Sequence, residues 1–541
     1  MLAFIIVLVA AIVRVAPLGA PTVYSDEYSY SAVTAAFLKG MAAPSLAPAL
    51  DNWLFIALFS VSHVGHVEPV HLARLINAAV VALGVLPLLW VASTQCRDWR
   101  SVLLSVAYST LFVGGMAAYF MPEAFYFSIV SAAFCVLVAY AAHRTARFAI
   151  LMAIVVACAA LTKVHALLLV PGFVIAMALI HWPSGMTDAR RMFVHIAVFV
   201  GVTWFIVSGT KSIVAGQLHL NPLGPFYSGM AGSVDVVALP TEPLSFVLLQ
   251  HLAILAIVIG PYLVLAGIAA VRFVARARGS RPSLVDVGCF AALGSLVGML
   301  LVTVLFSVSV ASHGGYESLT RMHGRYYEHL AWLAAYFGLL ALPSLCDDAR
   351  ACVRWLIAVS AMAAVWLGYL TLSPLGWQNP VDFSSIFALS RLPNGPLIAA
   401  ILSSIVCLGL LLPWPVVRTT LATSAFVAWL GLNTWTLESF RWSTPPSAVD
   451  SIGMMLSSSE RADSSLSRVE VFAVRRAADV FRLAYWLEEE EVELRITDPR
   501  DGTCLRPSEG AEWIVVLEGA ATPCSYVMQL EKEGVSLWRS Q

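Results

Sequence analysis

The sequence predicts a polytopic α-helical membrane protein that ends in a small polar α/β domain. Of its 541 residues, 59% are hydrophobic and 12% are charged, whereas about a quarter of the residues in soluble domains are charged. Apolar segments long enough for a helix to cross about 30 Å of hydrocarbon recur along the chain. Charge concentrates near the end, because residues 443–541 contain 17 of the 33 acidic and 10 of the 32 basic residues. A soluble globular protein is excluded, and the net charge of -1 gives no indication of a nucleic-acid partner.

Two domains follow from this division. Residues 1–442 form the membrane domain, with residues 20–70 as its first outer loop, and residues 443–541 form a polar domain long enough for a core of its own. Hydropathy divides the membrane domain into about thirteen transmembrane helices. These are 2–19, 71–93, 101–120, 124–142, 148–161, 166–182, 193–210, 246–271, 287–310, 330–345, 355–373, 396–412 and 421–437.

The arginines of the short loops predict the orientation. Every second connection contains arginines, among them Arg97 with Arg100, Arg190 with Arg191, and Arg418, and such loops are cytoplasmic in multi-pass proteins. The N-terminus is then cytoplasmic, and the odd number of spans makes the polar domain extracytoplasmic. We expect a multi-pass protein of a bacterial inner membrane.

The polar domain contains two cysteines, Cys504 and Cys524. An extracytoplasmic disulfide between them and two unpaired thiols are both compatible with the sequence, because a separation of twenty positions does not determine whether the Cβ atoms meet.

The first outer loop is too polar to cross the bilayer and has the pattern of two surface helices. Ser25 provides an N-cap and Gly40 a C-terminal glycine for an amphipathic helix over Ser25–Lys39. Asn52–Val61 predicts a second, mostly apolar interfacial helix. The two helices form a roof after the first span.

Asp26 and Glu27 lie in the first turn of this predicted helix. One interpretation is that they complement the helix dipole, which contributes a few tenths to about one kcal/mol. The other is chemical, since a carboxylate that loses part of its hydration at the membrane boundary becomes a better base. Neighbouring helical residues point about 100° apart, so one of the two faces a shared pocket, and we choose Asp26.

The tyrosine-rich segment Tyr24–Tyr30, one span into the chain and followed by paired interfacial helices, resembles the Asp-Glu signature of the GT-C glycosyltransferases. The nearest families are the protein O-mannosyltransferases and the lipid A aminoarabinose transferases. The resemblance covers residues 1 to about 440 as architecture. It implies an enzyme that transfers a sugar from a polyprenyl-phosphate carrier to an acceptor on the outer face of the membrane.

Two further outer segments carry isolated charges. Glu123 follows Pro122 at the outer end of the third span, where it either caps the next helix or provides a second pocket carboxylate, as it does in the family that the sequence resembles. Lys163 and His165 interrupt an apolar passage at an outer boundary. They are either a snorkelling lysine with an interfacial histidine, or ligands of the substrate with the lysine as a point charge for a phosphate.

The segment from His313 to Glu328 has the densest set of donors in the membrane domain. An interfacial belt explains its tyrosines but not its cations. Two arginines around a glycine are suited to bidentate phosphate binding, and aromatic rings to covering a sugar. The Gly-Arg-Tyr core also resembles a segment in the late outer loop of lipid-carrier glycosyltransferases, which implies a role in binding the carrier phosphate. The candidate substrate-binding residues here are Arg321, His323, Arg325, Tyr326 and Tyr327.

A divalent metal is left open. His63, His66, Glu68 and His71 form a histidine cluster without a strict metal-binding spacing, so interfacial packing is favoured there. A metal shared between Glu123 and a histidine such as His323 is an alternative, and no other cofactor is implied.

Other charged residues of the outer side have less distinctive surroundings. We expect Asp235, Glu242 and Asp382 to be solvated, because the sequence indicates no partner for them. Arg74, early in the second span, is expected to pack against an interfacial carboxylate.

The polar domain reads as a small α/β module without a recognisable site. Its predicted elements are strands Val469–Phe472, Val492–Ile496, Trp513–Leu517 and Tyr526–Leu530, and a helix over Arg476–Leu487. It lacks a glycine-rich phosphate loop and metal-spaced cysteines, so we assign no chemistry to it.

These observations predict an inverting hexosyl- or pentosyltransferase with a polyprenyl-phosphate-linked sugar as donor and a glycan, lipid or protein as acceptor. Asp26 is the expected catalytic base, with Glu27 beside it to position hydroxyl groups. A transporter or flippase for a lipid-linked or anionic substrate is the first alternative, although no internal repeat is visible and the charges collect at one boundary. An oligosaccharide ligase that uses a diphosphate carrier is the second.

Overall fold

The computed structural model describes residues 1–540 except 17–23, 42–49, 65–68, 97, 183–185, 219, 223–240, 277–282, 312–317, 349–350, 376–377, 379–381, 383, 444–446, 463–468, 474–476, 488–491, 496–512, 518–522, 524–525 and 533–534. The described part of the membrane domain is helical. Its helices are α1 (Leu2–Val15), α2 (Tyr24–Lys39), α3 (Trp53–Phe59), α4 (Pro69–Val91), α5 (Trp99–Ala107), α6 (Gly114–Met116), α7 (Glu123–His143), α8 (Ala146–Thr162), α9 (Leu169–Ile180), α10 (Met186–Ala215), α11 (Thr241–Arg276), α12 (Leu284–Val310), α13 (Glu328–Asp348), α14 (Ala351–Thr371), α15 (Ser384–Arg391), α16 (Gly395–Leu410) and α17 (Pro415–Ser443).

This is a multi-pass membrane protein. Seven helices of the described chain are long and apolar enough to cross a membrane, or eight if α15 and α16, which meet at 115°, form one span. Each of the thirteen predicted apolar segments overlaps a helix, although 101–120 is divided between α5, a wider turn and α6. The number of thirteen crossings stays a prediction, because α1, α8 and α9 are shorter than a full span and α5 passes into a wider turn at Tyr108–Val113.

Close helix packing brings the loops of the site together. α11 lies against α12, α13 and α14. Glycines permit the approach, since a Cβ atom at Gly338 would lie 2.8 Å from the carbonyl oxygen of Tyr262, and one at Gly368 would lie 2.8 Å from that of Ala253. Small residues at such crossings are typical of membrane helices, because packing rather than hydrophobicity drives their association. The Gly324–Tyr326 turn before α13 lies beside α12.

The first outer loop contains the two predicted helices. α2 ends at Lys39, and Gly40 takes a left-handed conformation with φ +66° that favours glycine. α3 continues as a tighter turn over Ser60–His63. The expected amphipathic pattern of α2 is absent for a physical reason: α3 and the Ser60–His63 turn contact one side, and a helix of the polar domain contacts another.

The described part of the polar domain contains two helices and a five-stranded sheet. Its elements are α18 (Ala448–Ala462), β1 (Val469–Ala473), α19 (Ala477–Leu487), β2 (Val492–Arg495), β3 (Trp513–Leu517), β4 (Tyr526–Lys532) and β5 (Val535–Ser540). The sheet order is β2-β1-β3-β5-β4, with parallel pairs around β1 and antiparallel pairs around β5. The sequence reading missed α18 and β5. Cys504 and Cys524 lie outside the described residues.

The polar domain lies directly on the first outer loop. The ring of Phe481 in α19 is 5.8 Å from that of Tyr28 in α2, between ring centroids. Tyr485 packs against the cluster of Phe55, Phe59 and Phe120 beneath. α2, which carries Asp26, therefore contacts both α3 of the membrane domain and α19 of the polar domain.

Candidate active site

The site is centred on an ion pair between α2 and the segment before α13. Arg325 Nη1 donates a hydrogen bond of 2.7 Å to Asp26 Oδ2. Arg325 belongs to a short turn over Gly324–Tyr326, and its guanidinium lies over the ring of Tyr326, 5.4 Å from the ring centroid. Two residues predicted from distant parts of the sequence thus meet at one point.

Asp382 is buried in this site, and the expectation that it is solvated was wrong. Its Oδ2 accepts hydrogen bonds from Arg321 Nε at 2.8 Å and from Arg321 Nη2 at 2.6 Å. Its Oδ1 lies 3.8 Å from Arg325 Nε. The Asp382 side chain is 1% exposed.

Lys163 and Glu123 form a second ion pair beside Tyr326. Lys163 Nζ donates a 2.5 Å hydrogen bond to Glu123 Oε1, and both side chains are buried. Lys163 Nζ is 5.7 Å from the ring centroid of Tyr326, and the ring of His165 is 4.5 Å from it. The Lys163 and Arg325 cations are therefore both within 6 Å of the Tyr326 ring.

Glu27 points away from this cluster. It is fully buried, and its Oε1 accepts hydrogen bonds from the backbone N–H of Phe120 at 2.9 Å and from Arg74 Nη2 at 3.3 Å. The expectation that Arg74 packs against an interfacial carboxylate is confirmed. Asp26 and Glu27 thus face different surroundings, as adjacent positions on a helix require.

Tyr327 and His323 also turn inward. The Tyr327 hydroxyl shares a 2.6 Å hydrogen bond with His251 Nδ1, and its ring is fully buried. The His323 ring meets the edge of Phe306 with 5.1 Å between ring centroids. Of the two tyrosines, Tyr326 is the one beside the ion pairs.

The expected histidine cluster is only partly described. His63 Nε2 is 2.9 Å from Thr34 Oγ1, and its ring packs near Phe120. His66, Glu68 and Asp235 lie outside the described residues, and Glu242 is exposed at the start of α11. Among the residues that the structure describes, no group of three or more histidine, cysteine or acidic side chains is arranged to hold a metal.

Burial and charge set the protonation of the loop groups. Burial raises the pKa of the Asp382 carboxyl above its ordinary value, although Arg325 and Arg321 act in the opposite direction. Burial lowers the pKa of His323 to about 3, and the two arginines add to this effect. His323 is therefore neutral at physiological pH.

Asp382 was missed because its partners are distant in sequence. Neighbouring polar residues share its role: Gln378 Oε1 accepts the backbone N–H of Met322 at 3.1 Å, and Ser384 Oγ donates to Glu328 Oε1 at 2.8 Å. The available signal was the polar, proline- and glycine-containing segment 373–385 between two apolar helices on the predicted outer side.

The arrangement combines carboxylates with cations in one partly exposed place. The Asp26 side chain is 32% exposed and the Arg325 side chain 21%, against 14% and 1% for Arg321 and Asp382. Each of the cations Lys163, Arg321 and Arg325 is held by a carboxylate. An anionic ligand would compete with those carboxylates, and it would release Asp26 as a proton acceptor.

The comparisons with known proteins concern the fold. The chain matches no family model and no curated protein. It is similar to the crystal structure of ArnT from Cupriavidus metallidurans in the apo state, with a TM-score of 0.50 and 15% identity over 99% of this chain and 97% of that one.

Two structures of the Archaeoglobus fulgidus oligosaccharyltransferase also match, both at 10% identity. The complex with zinc and sulfate has a TM-score of 0.38 over 95% of this chain and 67% of that one. The form tethered to an acceptor peptide has a TM-score of 0.40 over 91% and 63%. The likeness to ArnT spans both domains and shows that the two chains share a fold.

Proposed function

We propose that this protein is an inverting glycosyltransferase that takes a sugar from a polyprenyl-phosphate carrier. The observation that carries the proposal is the 2.7 Å contact between Asp26 and Arg325, with Arg321 beside it. A transfer of this kind needs one base near a phosphate-binding cation, because the carrier phosphate is itself the leaving group. Hydrolysis would need a second carboxyl group to protonate the departing oxygen.

In the proposed reaction Asp26 accepts the proton of the acceptor hydroxyl. The hydroxyl oxygen forms a bond to the anomeric carbon as the bond from that carbon to the phosphate oxygen breaks, and the electron pair leaves with the phosphate. Arg325, Arg321 and Lys163 stabilise the charge on the phosphate. Arg325 exchanges Asp26 for the phosphate, so donor binding frees the base.

Other site residues have supporting roles in this proposal. Tyr326 lines the sugar, with His165 against its ring. Glu123 holds Lys163 in place and is available to a sugar or acceptor hydroxyl through its second oxygen. Glu27, bonded to Arg74 and Phe120, positions α2 rather than the substrate.

We also propose the orientation that the loop arginines indicate. The N-terminus is cytoplasmic, about thirteen helices cross a bacterial inner membrane, and the polar domain is extracytoplasmic. The acceptor is then a cell-envelope glycan, lipid or protein. Nucleotide sugars are cytoplasmic, so a lipid phosphate is the leaving group available on the outer side.

Mass spectrometry of lipids tests the proposal. Cells without this protein are expected to accumulate a polyprenyl-phosphate sugar, and the wild-type protein is expected to remove it. The Asp26→Asn variant, expressed at the same level, is expected to leave the lipid in place. A lipid profile that does not change when the protein is lost contradicts the proposal. A transporter would instead cause accumulation that Asp26→Asn relieves as well as the wild type.

A further inference from the structure

We infer that four described residues, Gln378 and Asp382 in the loop before α15 and Ser384 and Ser385 at the start of α15, are a dedicated support for the phosphate-binding arginines, with Asp382 as a positioning residue. We call these four residues the cradle. The inference rests on the proposed function and adds residues to it that do not themselves contact the reacting atoms.

The cradle contacts the segment Thr320–Glu328, which carries both arginines, at three places. At one end Gln378 Nε2 donates to the carbonyl of Thr320 at 2.8 Å, and Gln378 Oε1 accepts the backbone N–H of Met322 at 3.1 Å. One side-chain amide thus satisfies a donor and an acceptor on either side of Arg321. This fixes the backbone from which Arg321 extends.

At the other end the cradle binds Glu328, the first residue of α13. The backbone N–H groups of Ser384 and Ser385 lie 2.9 and 3.1 Å from its carboxylate oxygens, and the two serine hydroxyls donate at 2.8 and 2.6 Å. Glu328 is 2% exposed. A buried carboxylate with four donors is fully satisfied, which makes this attachment rigid.

Asp382 lies between these two attachments in the sequence, and its carboxylate faces Arg321 and Arg325. Its Oδ2 holds Arg321 through two hydrogen bonds, whereas its Oδ1 lies 3.8 Å from Arg325 Nε, beyond hydrogen-bonding distance. Asp382 therefore fixes the Arg321 side chain by hydrogen bonds, whereas it attracts Arg325 electrostatically without a hydrogen bond. Arg325 keeps its Nη1 for Asp26 in this structure and for a phosphate when one is bound.

A buried carboxylate is also a way to keep two arginines adjacent. The positive charges of Arg321 and Arg325 repel each other, and the repulsion is stronger in a medium of low dielectric constant. One carboxylate shared by both guanidinium groups offsets the repulsion and fixes their spacing, as outer-shell carboxylates do for the ligands of a metal. Removal of the Asp382 charge should therefore weaken phosphate binding, although Asp382 itself does not contact the substrate.

Binding of a polyprenyl phosphate without sugar to the purified full-length protein in detergent tests this. The variants are Asp382→Asn, which removes the charge, Gln378→Ala, which removes an uncharged attachment, and Glu242→Gln, a control at an exposed carboxylate. We expect Asp382→Asn to weaken binding roughly 10- to 100-fold, Gln378→Ala to weaken it less, and Glu242→Gln to leave it unchanged. In turnover assays the KM for the donor should rise more than the KM for the acceptor.

Asp382→Asn leaves two cations with less compensation, so its folding needs a control. Asp382→Glu keeps the charge and shifts it by one methylene group; we expect an unfolding temperature near that of the wild type and still a weaker affinity for the lipid. Equal affinity of wild type, Asp382→Glu and Asp382→Asn overturns the cradle while the proposed function stands. Absence of binding in the wild type overturns the proposed function, and the cradle with it.

Discussion

Arg325 donates its 2.7 Å hydrogen bond to a carboxylate, that of Asp26, which lies 299 positions earlier in the chain. α2 supplies the carboxylate from the first outer loop, and the segment before α13 supplies the cation. The pair is more exposed than the pairs of Arg321 with Asp382 and Lys163 with Glu123. In the proposed function, the carrier phosphate is therefore expected to meet this pair first.

Asp26→Asn is expected to abolish sugar transfer and to leave carrier binding largely intact. The amide cannot accept the proton of the acceptor hydroxyl, and loss of a general base reduces turnover roughly 10²- to 10⁴-fold. Turnover and carrier binding of the purified variant measure the two effects separately, with Glu242→Gln as the control. Turnover close to that of the wild type would exclude Asp26 as the base.

Arg325→Ala is expected to weaken binding of the sugar donor more than binding of the acceptor. A charge-assisted hydrogen bond contributes about 1.5–3 kcal/mol, so the KM for the donor should rise on the order of 10- to 100-fold. The exposed Arg191, in α10, provides the matched control as Arg191→Ala. An unchanged donor KM with a raised acceptor KM would contradict the phosphate role.

Acidification from pH 7.5 to pH 5 is expected to destabilise the protein partly through His323. Its pKa is about 3 in the folded protein and about 6.5 in the unfolded chain. The unfolded state therefore binds more protons below pH 6.5, so this contribution to stability is complete above that pH and falls as the pH is lowered. His323→Gln should show a smaller drop in unfolding temperature between the two pH values, and an equal drop would contradict this.

Glu438→Gln is expected to destabilise the membrane domain. Glu438 Oε1 lies 2.9 Å from Arg14 Nε in α1 and 3.0 Å from Arg441 Nη1 in α17. Removal of one member of a buried ion cluster leaves charge without compensation, which costs about 3–5 kcal/mol. The unfolding temperature in detergent measures the loss, again against Glu242→Gln. A temperature equal to that of the wild type would mean that the arginines have other compensation.

Labelling of a single cysteine tests the orientation. Met41→Cys, at a 50% exposed position at the end of α2, is made in a cysteine-free background and treated with a membrane-impermeant maleimide on intact spheroplasts. We expect labelling there, whereas Arg191→Cys should react after permeabilisation only. The reverse pattern would invert the proposed topology.

Local patterns predicted most of the helices and several of the contacts. Gly40 and Lys39 marked the end of α2, and Trp513–Leu517 was predicted as a strand with the bounds that β3 has. Both are local signals: a glycine after the last helical turn, and a run of β-branched residues. Hydropathy located the apolar helices for the same reason, since each helix satisfies the hydrogen bonds of its backbone within its own segment.

Contacts between residues that are distant in the sequence could not be predicted from local patterns. Asp382 has no local feature that distinguishes a buried carboxylate from a solvated one, because its partners Arg321 and Arg325 lie more than fifty positions away. The position of α19 on α2 was equally hidden. α2 looked like a helix with one solvated face, and the second covering surface comes from the other end of the chain.

The burial of Glu27 has a consequence for how the site opens. Rotation of α2 about its axis would detach Glu27 from Arg74 and from the Phe120 backbone and leave carboxylate and guanidinium charge stranded in the interior. The direction of the Asp26 side chain is thus set by its buried neighbour. When a ligand separates Asp26 from Arg325, we therefore expect the Arg325 side chain to move and the Asp26 carboxylate to keep its position.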